Sequence, residues 1–294
     1  MFKPYGIVPP IVLPLTSDEH IDEKALRRLI DFEIEGGVHG IFPLGTTGEF
    51  YGLTDDEVRL VFEICKDQVA GRVPLYAGTP HITTRGAVRL AQIAEDVGVD
   101  CLSILTPMFI TPNQEELYQH YKTIAENTSL PILLYNNKPK TGVHITPATV
   151  SRLADIPNII GVKDSTGDMT NTEEYLRLTK GKEFSVMMGR DTLICAALQY
   201  GAVGAIASCA NVAPELFSSI YNDYMAGNVE KAMETQFKVA PLRIAFNLGT
   251  FPSVIKAALK LRGVDCGPCF APCGPLSEDE MSKLKTIMHD LELI

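Results

Sequence analysis

Residues 132–163 have the sequence ILLYNNKPKTGVHITPATVSRLADIPNIIGVK, which contains two short apolar runs, Ile132–Tyr135 and Ile159–Lys163. Between the runs, Thr146 precedes Pro147, the order typical of a capping residue followed by a proline in the first helical turn. Both runs are continuously apolar, as parallel strands buried on both faces are. The stretch therefore predicts a strand–helix–strand unit.

The same unit repeats along most of the chain. The predicted strands are Ile7–Leu13, Gly40–Leu44, Pro74–Gly78, Cys101–Leu105, Ile132–Tyr135, Ile159–Lys163, Phe184–Met188 and Gly204–Ala207. Helical patterns lie between them, and two begin with a predicted capping box, at Thr54 with Glu57 and at Asn113 with Glu116. This repetition within residues 1–227 predicts an α/β protein and favours a closed (β/α)8 TIM barrel over a doubly wound sheet.

After residue 227 the alternation stops and the pattern becomes helical only. The predicted helices are Val229–Leu248, Pro252–Leu261 and Glu278–Leu291, with a loop rich in Gly, Pro and Cys at Gly263–Pro275. We predict a catalytic barrel in residues 1–227 and a C-terminal helical region, residues 228–294, packed on it.

Composition narrows the classes of function. The chain has 294 residues, is 46% hydrophobic and carries a net charge of −10, which argues against general nucleic-acid binding. No apolar run approaches the ~20 residues of a membrane span, and the first residues lack the features of a signal peptide. A soluble, cytoplasmic protein without membrane partners is expected by default, and the seven cysteines are expected to be free thiols.

Lys163 ends the predicted strand Ile159–Lys163. A lysine at that place loses water, which disfavours its ammonium form and lowers its pKa. A neutral amine can attack a ketone to form an imine. A lysine that merely extends from the strand end into water is an equally good interpretation of this residue alone.

Two other predicted strand ends carry chemically useful groups. Gly45-Thr46-Thr47-Gly48-Glu49 follows the second strand, and its backbone N–H groups and hydroxyls could hold a carboxylate. Tyr135 ends the fifth strand, and its phenol could transfer protons beside an amine. Taken alone, the first is better explained as a polar turn with a solvated Glu49, and Tyr135 is better explained as a tyrosine of the core. A barrel would bring all three strand ends to one mouth.

In this order and spacing the motifs resemble a known family. They are Gly45–Glu49, Tyr135-Asn136 with Thr141-Gly142, Gly161–Asp164, and Gly189 with Gly204–Asn211. Over nearly the whole chain they are similar to the dihydrodipicolinate synthase / N-acetylneuraminate lyase family of class I, Schiff-base-forming aldolases. The resemblance implies a lyase that acts on pyruvate, needs no metal or organic cofactor, and forms a homotetramer built as a dimer of dimers.

The resemblance also implies roles for individual residues. Lys163 would form the Schiff base, Tyr135 would transfer protons beside it, and Thr46 would link that tyrosine to a relay. Substrate contacts would come from Thr47, Gly48, Gly189, Ile206 and Lys140.

Two residues depart from the pattern of the synthases. Phe109 stands where those enzymes carry a tyrosine that crosses the dimer interface and completes a Tyr–Thr–Tyr relay, and phenylalanine cannot pass a proton. Lys140 stands where an arginine holds the carboxylate of the incoming aldehyde, and lysine lacks the two-pronged grip of arginine. These departures leave the second substrate open.

Three functions therefore compete. Condensation of pyruvate with L-aspartate semialdehyde, a step of lysine biosynthesis, is favoured by the Thr-Thr-Gly-Glu turn and by the cation at Lys140. Phe109 weighs against that reaction, and cleavage of a sugar acid, such as N-acetylneuraminate or a 2-keto-3-deoxy acid, is the alternative. A non-catalytic 2-oxo-acid-binding protein is a third, against which Lys163, Tyr135 and Thr46 all argue.

Three cysteines, Cys266, Cys269 and Cys273, have a spacing compatible with zinc or an iron–sulfur cluster. A closed site needs a fourth ligand, and the nearest candidate in sequence is the distant His289. The chain also lacks GxGxxG and GxxxxGK[ST] motifs. We therefore predict no metal and no nucleotide cofactor.

Overall fold

Seven parallel strands form one sheet in the computed structural model, which describes residues 2–294. The strands are β1 Gly6–Ile7, β2 Tyr76–Gly78, β3 Cys101–Leu105, β4 Ile132–Asn136, β5 Ile159–Asp164, β6 Ser185–Met188 and β7 Gly204–Ala205. Their order in the sheet is β1-β7-β6-β5-β4-β3-β2, and every neighbouring pair is parallel. β1 and β2 are therefore the two edges that must meet if the sheet is to close.

The segment predicted as the second strand, Gly40–Leu44, closes the barrel between β1 and β2. Phe42 bridges Pro10 on one side, and Ile41 bridges Leu75 on the other. The prediction of a full strand here is wrong, because prolines have no backbone N–H and interrupt the hydrogen-bond ladder. They are Pro9, Pro10, Pro43 and Pro74. Pro9 and Pro10 also interrupt the first predicted strand, and β1 ends at Ile7, well short of the predicted strand end at Leu13.

The inside of the barrel is filled by side chains from all eight positions around it. This inner cluster consists of Val8, Phe42, Tyr76, Cys101, Leu133, Ile160, Met187 and Ile206. Each is at most 3% exposed, so the interior is a packed core, as in (β/α)8 barrels. The predicted fold class is confirmed.

Helices surround this barrel. They are α1 Glu23–Glu35, α2 Asp55–Val69, α3 Thr84–Val97, α4 Gln114–Ala125, α5 Lys138–Thr141, α6 Pro147–Leu153, α7 Met169–Leu178, α8 Ile194–Tyr200, α9 Pro214–Met225, α10 Val229–Ala245, α11 Ser253–Leu261 and α12 Glu278–Asp290. Both predicted capping boxes are confirmed, at the starts of α2 and α4. Within residues 2–294, no helix has the length and apolarity needed to cross a membrane.

The C-terminal helices follow the predicted segments closely, although α10 ends at Ala245 rather than Leu248. α10 packs against α9 and α12, and α11 also packs against α12. A boundary between two regions at residue 227 stays a prediction.

Candidate active site

A cavity of about 400 Å³ lies at the carboxyl ends of the central strands. It brings together six of the residues predicted for the site, namely Thr46, Thr47, Tyr135, Lys140, Lys163 and Gly189. Strand direction explains this meeting, because parallel strands of a closed barrel all end at the same mouth.

Lys163 lies near the end of β5, in register with Tyr135 of β4 and Met187 of β6. Its side chain is buried, with only 3% exposure, so the interpretation of a lysine that reaches into water is wrong. The Lys163 Nζ atom lies 3.8 Å from the centroid of the Tyr135 ring. Burial lowers the pKa of Lys163, and the nearby Tyr135 and Asp191 offset only part of that effect. The neutral amine, which is the nucleophilic form, is thereby favoured.

The hydroxyl of Tyr135 has two partners besides the amine. Asn137 donates from Nδ2 to Tyr135 Oη over 2.9 Å, and Thr46 Oγ1 lies 3.4 Å from the same oxygen. Burial alone would raise the pKa of Tyr135, but the charge of Lys163 and hydrogen bonds from Thr46, Lys163 and Asn137 outweigh it and lower that pKa. The phenol is therefore suited to releasing and regaining a proton.

The turn after the second predicted strand is one turn of 3₁₀-helix, Thr46–Gly48. Thr47 is buried, and its Oγ1 lies 3.4 Å from Ser208 Oγ. Glu49 is also buried, so the interpretation of a solvated carboxylate is wrong. Its Oε1 pairs with Nζ of Lys256 at 2.8 Å, and its Oε2 accepts a 2.8 Å hydrogen bond from the Phe270 amide. The turn is thus anchored to the C-terminal helical region.

Gly189 lines the cavity where a side chain would not fit. A Cβ atom at Gly189 would lie 2.0 Å from Ser165 Oγ and 2.8 Å from the carbonyl oxygen of Asp164. The Gly189 amide donates to that same Asp164 carbonyl over 2.7 Å. Glycine therefore allows β6 to pass close to the end of β5, beside Lys163.

Three residues predicted for the site or its relay do not line the cavity. Gly48 is packed against the backbone of Ile11, and Ile206 belongs to the inner cluster of the barrel. Phe109 is 92% exposed, with a left-handed backbone at φ 70°.

Several cavity residues were not predicted from the sequence. Arg190 and Asp191 directly follow Gly189, so the rule that barrel chemistry lies at strand ends could have found them. Asn137 is two residues beyond Tyr135 and could have been found in the same way. Arg243 on α10 and Phe251 beyond it had no such indication, because they come from the region after the strands end.

The cysteines do not form a metal site. All seven are free thiols, and Cys266 and Cys269 are buried while Cys273 is half-buried. In the part of the chain from residue 2 to residue 294, no group of three or more His, Cys, Asp or Glu side chains is placed to hold a metal ion.

A buried lysine amine with a lowered pKa, at the mouth of a (β/α)8 barrel, is the central feature of lyases that work through a lysine Schiff base, and fold and site place the protein in this class. Sequence comparison leads to the same class. A family model described as the dihydrodipicolinate synthetase family matches residues 3–291. The chain belongs to that family.

Similar proteins span the full length of the chain. A protein named 4-hydroxy-tetrahydrodipicolinate synthase from Syntrophus aciditrophicus is 41% identical, with all of both chains covered. One of the same name from Methanothrix thermoacetophila is 36% identical over 98% of this chain and 96% of its own. The crystal structure of dihydrodipicolinate synthase from Thermotoga maritima superimposes with a TM-score of 0.95 at 33% identity, covering 99% of each chain.

Proposed function

We propose that the protein is a 4-hydroxy-tetrahydrodipicolinate synthase, which condenses pyruvate with L-aspartate semialdehyde through an imine at Lys163. The observation that carries the proposal is the contact of the buried Lys163 amine with the ring of Tyr135, inside the cavity that Thr46 and Thr47 also line. Full-length similarity to proteins of that name supports the choice of reaction.

In the first half of the reaction, the neutral Nζ of Lys163 attacks the ketone carbon of pyruvate. Tyr135 transfers protons to the former carbonyl oxygen, which leaves as water, and a protonated imine remains. In this proposal Thr47 holds the carboxylate of pyruvate with its backbone N–H and hydroxyl, and Ser208 Oγ lies 3.4 Å from that hydroxyl. The absence of a side chain at Gly189 lets its backbone lie against Ser165 and the end of β5, beside the imine.

In the second half, the methyl group of the imine loses a proton to give an enamine. The enamine carbon attacks the aldehyde carbon, a carbon–carbon bond forms, and the aldehyde oxygen takes up a proton. Attack on the imine carbon by water, or by the amine of the semialdehyde, then releases Lys163. Tyr135 and Thr46 carry the protons, and Asn137 keeps the phenol oriented by its 2.9 Å hydrogen bond.

We further propose that the enzyme works in the cytoplasm as a homotetramer, built as a dimer of dimers. Support for assembly comes from the neighbouring exposed side chains of Phe109, at 92%, and Ile110, at 58%, because adjacent apolar groups so open to water are typical of contact surfaces.

Reductive trapping tests the proposal. Incubation with pyruvate and borohydride should attach the reduced pyruvate carbons to Lys163, which peptide mass mapping can locate, while Lys163→Arg should stay unmodified. An unmodified Lys163 in the wild type would refute the mechanism.

Coupled assays then identify the reaction. Turnover of pyruvate with L-aspartate semialdehyde is the expected result. Release of pyruvate from N-acetylneuraminate or from a 2-keto-3-deoxy acid would identify a sugar-acid lyase instead. Trapping at Lys163 without turnover of any of these would identify a 2-oxo-acid-binding protein.

A further inference from the structure

The cavity has more positive charge than the proposed pyruvate step uses. The protein carries a net charge of −10, yet among residues 2–294 the charged residues that line the cavity are Lys140, Lys163, Arg190, Arg243 and a single acid, Asp191. Lys163 serves the imine, and the turn at Thr46–Gly48 serves the carboxylate of pyruvate. Three cations therefore remain in a site where a second reactant must bind.

Arg243 is the best placed of these cations. It projects from α10, and its Nε atom lies 3.2 Å from Oδ2 of Asp191. Asp191 is itself fixed, since it is 3% exposed and its Oδ1 accepts a 2.7 Å hydrogen bond from the Cys209 amide. The side chain of Arg243 is only 25% exposed, and its two terminal Nη groups have no acceptor among residues 2–294. A guanidinium that is fixed by an ion pair and keeps two Nη groups free as donors matches the geometry of a carboxylate or phosphate.

Arg190 is a second cation that lines the same cavity. Its guanidinium lies against Gly167, where a Cβ atom would come within 2.9 Å of Arg190 Nε. No carboxylate among the residues the structure describes pairs with it. The carboxyl end of β6 therefore presents Arg190 together with Asp191, the residue that orients Arg243.

Lys140 occupies a different part of the wall. It is exposed, and its Nζ lies 5.4 Å from the centroid of the Phe251 ring. Phe251 contacts Phe246, with ring centroids 6.2 Å apart, and the guanidinium carbon of Arg243 lies 5.5 Å from the Phe246 centroid. Two aromatic rings thus separate Lys140 from Arg243. An exposed ammonium stays strongly hydrated, which makes it the weaker anion ligand of the two.

We propose that Arg243, oriented by Asp191 and assisted by Arg190, binds the anionic group of the second reactant, and that Lys140 does not. Arg243 is then a specificity-determining residue that selects an aldehyde with a carboxylate or a phosphate at the end remote from its carbonyl. This inference rests on the proposed imine chemistry at Lys163. It replaces Lys140, to which the family pattern assigns the carboxylate, by a residue on α10.

The test measures kcat and KM for three aldehydes in the presence of saturating pyruvate: succinic semialdehyde, glyceraldehyde 3-phosphate and uncharged butanal. Arg243→Met should lower kcat/KM for at least one anionic aldehyde about 10- to 100-fold, mainly through KM, as expected for loss of charged hydrogen bonds. The kcat/KM for butanal should change less than about threefold, since butanal makes no such bond. The anionic aldehyde with the larger loss identifies carboxylate or phosphate as the preferred group.

Matched variants separate a local role from a structural one. Arg177→Met, which removes an exposed arginine of α7, should leave all three kcat/KM values within about threefold. Lys140→Met should not lower kcat/KM more for the anionic aldehydes than for butanal, and Arg243→Lys should restore part of the loss caused by Arg243→Met. The proposal would be overturned if Arg243→Met lowered kcat/KM equally for the charged and the uncharged aldehydes. It would also be overturned if Lys140→Met lowered kcat/KM for the anionic aldehydes more than Arg243→Met does.

A binding measurement covers the case in which no aldehyde turns over. Calorimetric titration of succinate and of inorganic phosphate into the borohydride-reduced pyruvate adduct should show binding that Arg243→Met removes and Lys140→Met keeps. Equal binding in both variants, or none in the wild type, would overturn the inference. Failure of the proposed function is distinguishable, because Lys163 then stays unmodified by pyruvate, or turnover occurs only with an aldehyde other than L-aspartate semialdehyde.

Discussion

Glu49 and Lys256 form an ion pair with an O–N distance of 2.8 Å in which neither side chain is more than 3% exposed. Glu49 follows the Thr46–Gly48 turn of the cavity, and Lys256 belongs to α11. The pair therefore connects the turn proposed to hold pyruvate with the C-terminal helices. Two buried charges of opposite sign depend on each other, since removing one leaves the other in a medium that cannot solvate it.

Lys256→Met should lower the free energy of unfolding by about 3–5 kcal/mol, because Glu49 would be left buried without its partner. Urea unfolding followed by circular dichroism measures the change. Lys260→Met is the matched control on the same helix, as its pair with Asp265 is mostly exposed, with side-chain exposures of 67% and 55%. Lys260→Met should lower the free energy of unfolding by no more than about 1 kcal/mol. Equal losses in the two variants would show that the buried pair has no special importance.

The lowered pKa of Lys163 predicts how imine formation depends on pH. The rate of reductive trapping with pyruvate should rise with pH as the ammonium loses its proton, and level off above a midpoint that lies below the ordinary lysine pKa. Tyr135 is the largest influence that opposes burial and raises the pKa of Lys163. Tyr135→Phe should therefore move the midpoint to lower pH and slow trapping by about 100-fold or more. A midpoint that moves upward would contradict this account.

The barrel and its chemical centre were predictable because both depend on short-range patterns. Continuous apolar runs gave the parallel strands, and strand ends gave Thr46, Tyr135 and Lys163, which the cavity brings together. The closing segment at Gly40–Leu44 was placed correctly but was not a regular strand, since the prolines around it remove ladder donors. Here the hydrophobic pattern alone was insufficient, and the backbone chemistry of proline decided the outcome.

The outer wall of the cavity was not predictable in this way. Arg243 lies within a helix whose sequence gives no indication of which side faces the barrel mouth. Its place at the cavity depends on the packing of α10 against α8, α9, α12 and the segment Asp191–Leu193. The same holds for Lys256, whose partner Glu49 is about two hundred residues away in sequence. Contacts between distant segments depend on tertiary packing, which local periodicity does not encode.

Phe109 provides a test of the proposed assembly. In one chain this aromatic side chain is 92% exposed and stands on a left-handed backbone. Covering it with another copy of the chain would remove its apolar surface from water, which is favourable. Phe109→Ser should raise the dissociation constant of the oligomer at least about tenfold, which corresponds to 1.4 kcal/mol. Sedimentation over a range of concentrations measures this, with Phe109→Tyr as the conservative control. An unchanged mass distribution for Phe109→Ser would exclude the residue from the interface.

Because of the buried Glu33 on α1, we expect the protein to lose stability as pH rises above the pKa of an unfolded carboxyl group. Its carboxyl group is fully buried, and neither oxygen has a hydrogen-bond partner among the described residues. Burial and the nearby Glu215 raise the pKa of Glu33 well above its usual range, and Arg262 offsets this only in part. The folded state therefore keeps a proton that the unfolded state has lost, so the free energy of unfolding falls as pH rises from the unfolded pKa to the folded pKa.

Glu33→Gln, which stays neutral, should remove this dependence. Compared with the wild type, the variant should gain about 1.4 kcal/mol of unfolding free energy at pH 8 for each unit by which the folded pKa is raised, up to that pH. At pH 4, where the carboxyl group is mostly protonated in both states, the gain should be close to zero. Urea unfolding at both pH values measures the difference, and Glu35→Gln, at an exposed position of the same helix, is the control. A gain of the same size at pH 4 would assign the effect to packing, because protonation cannot act below both pKa values.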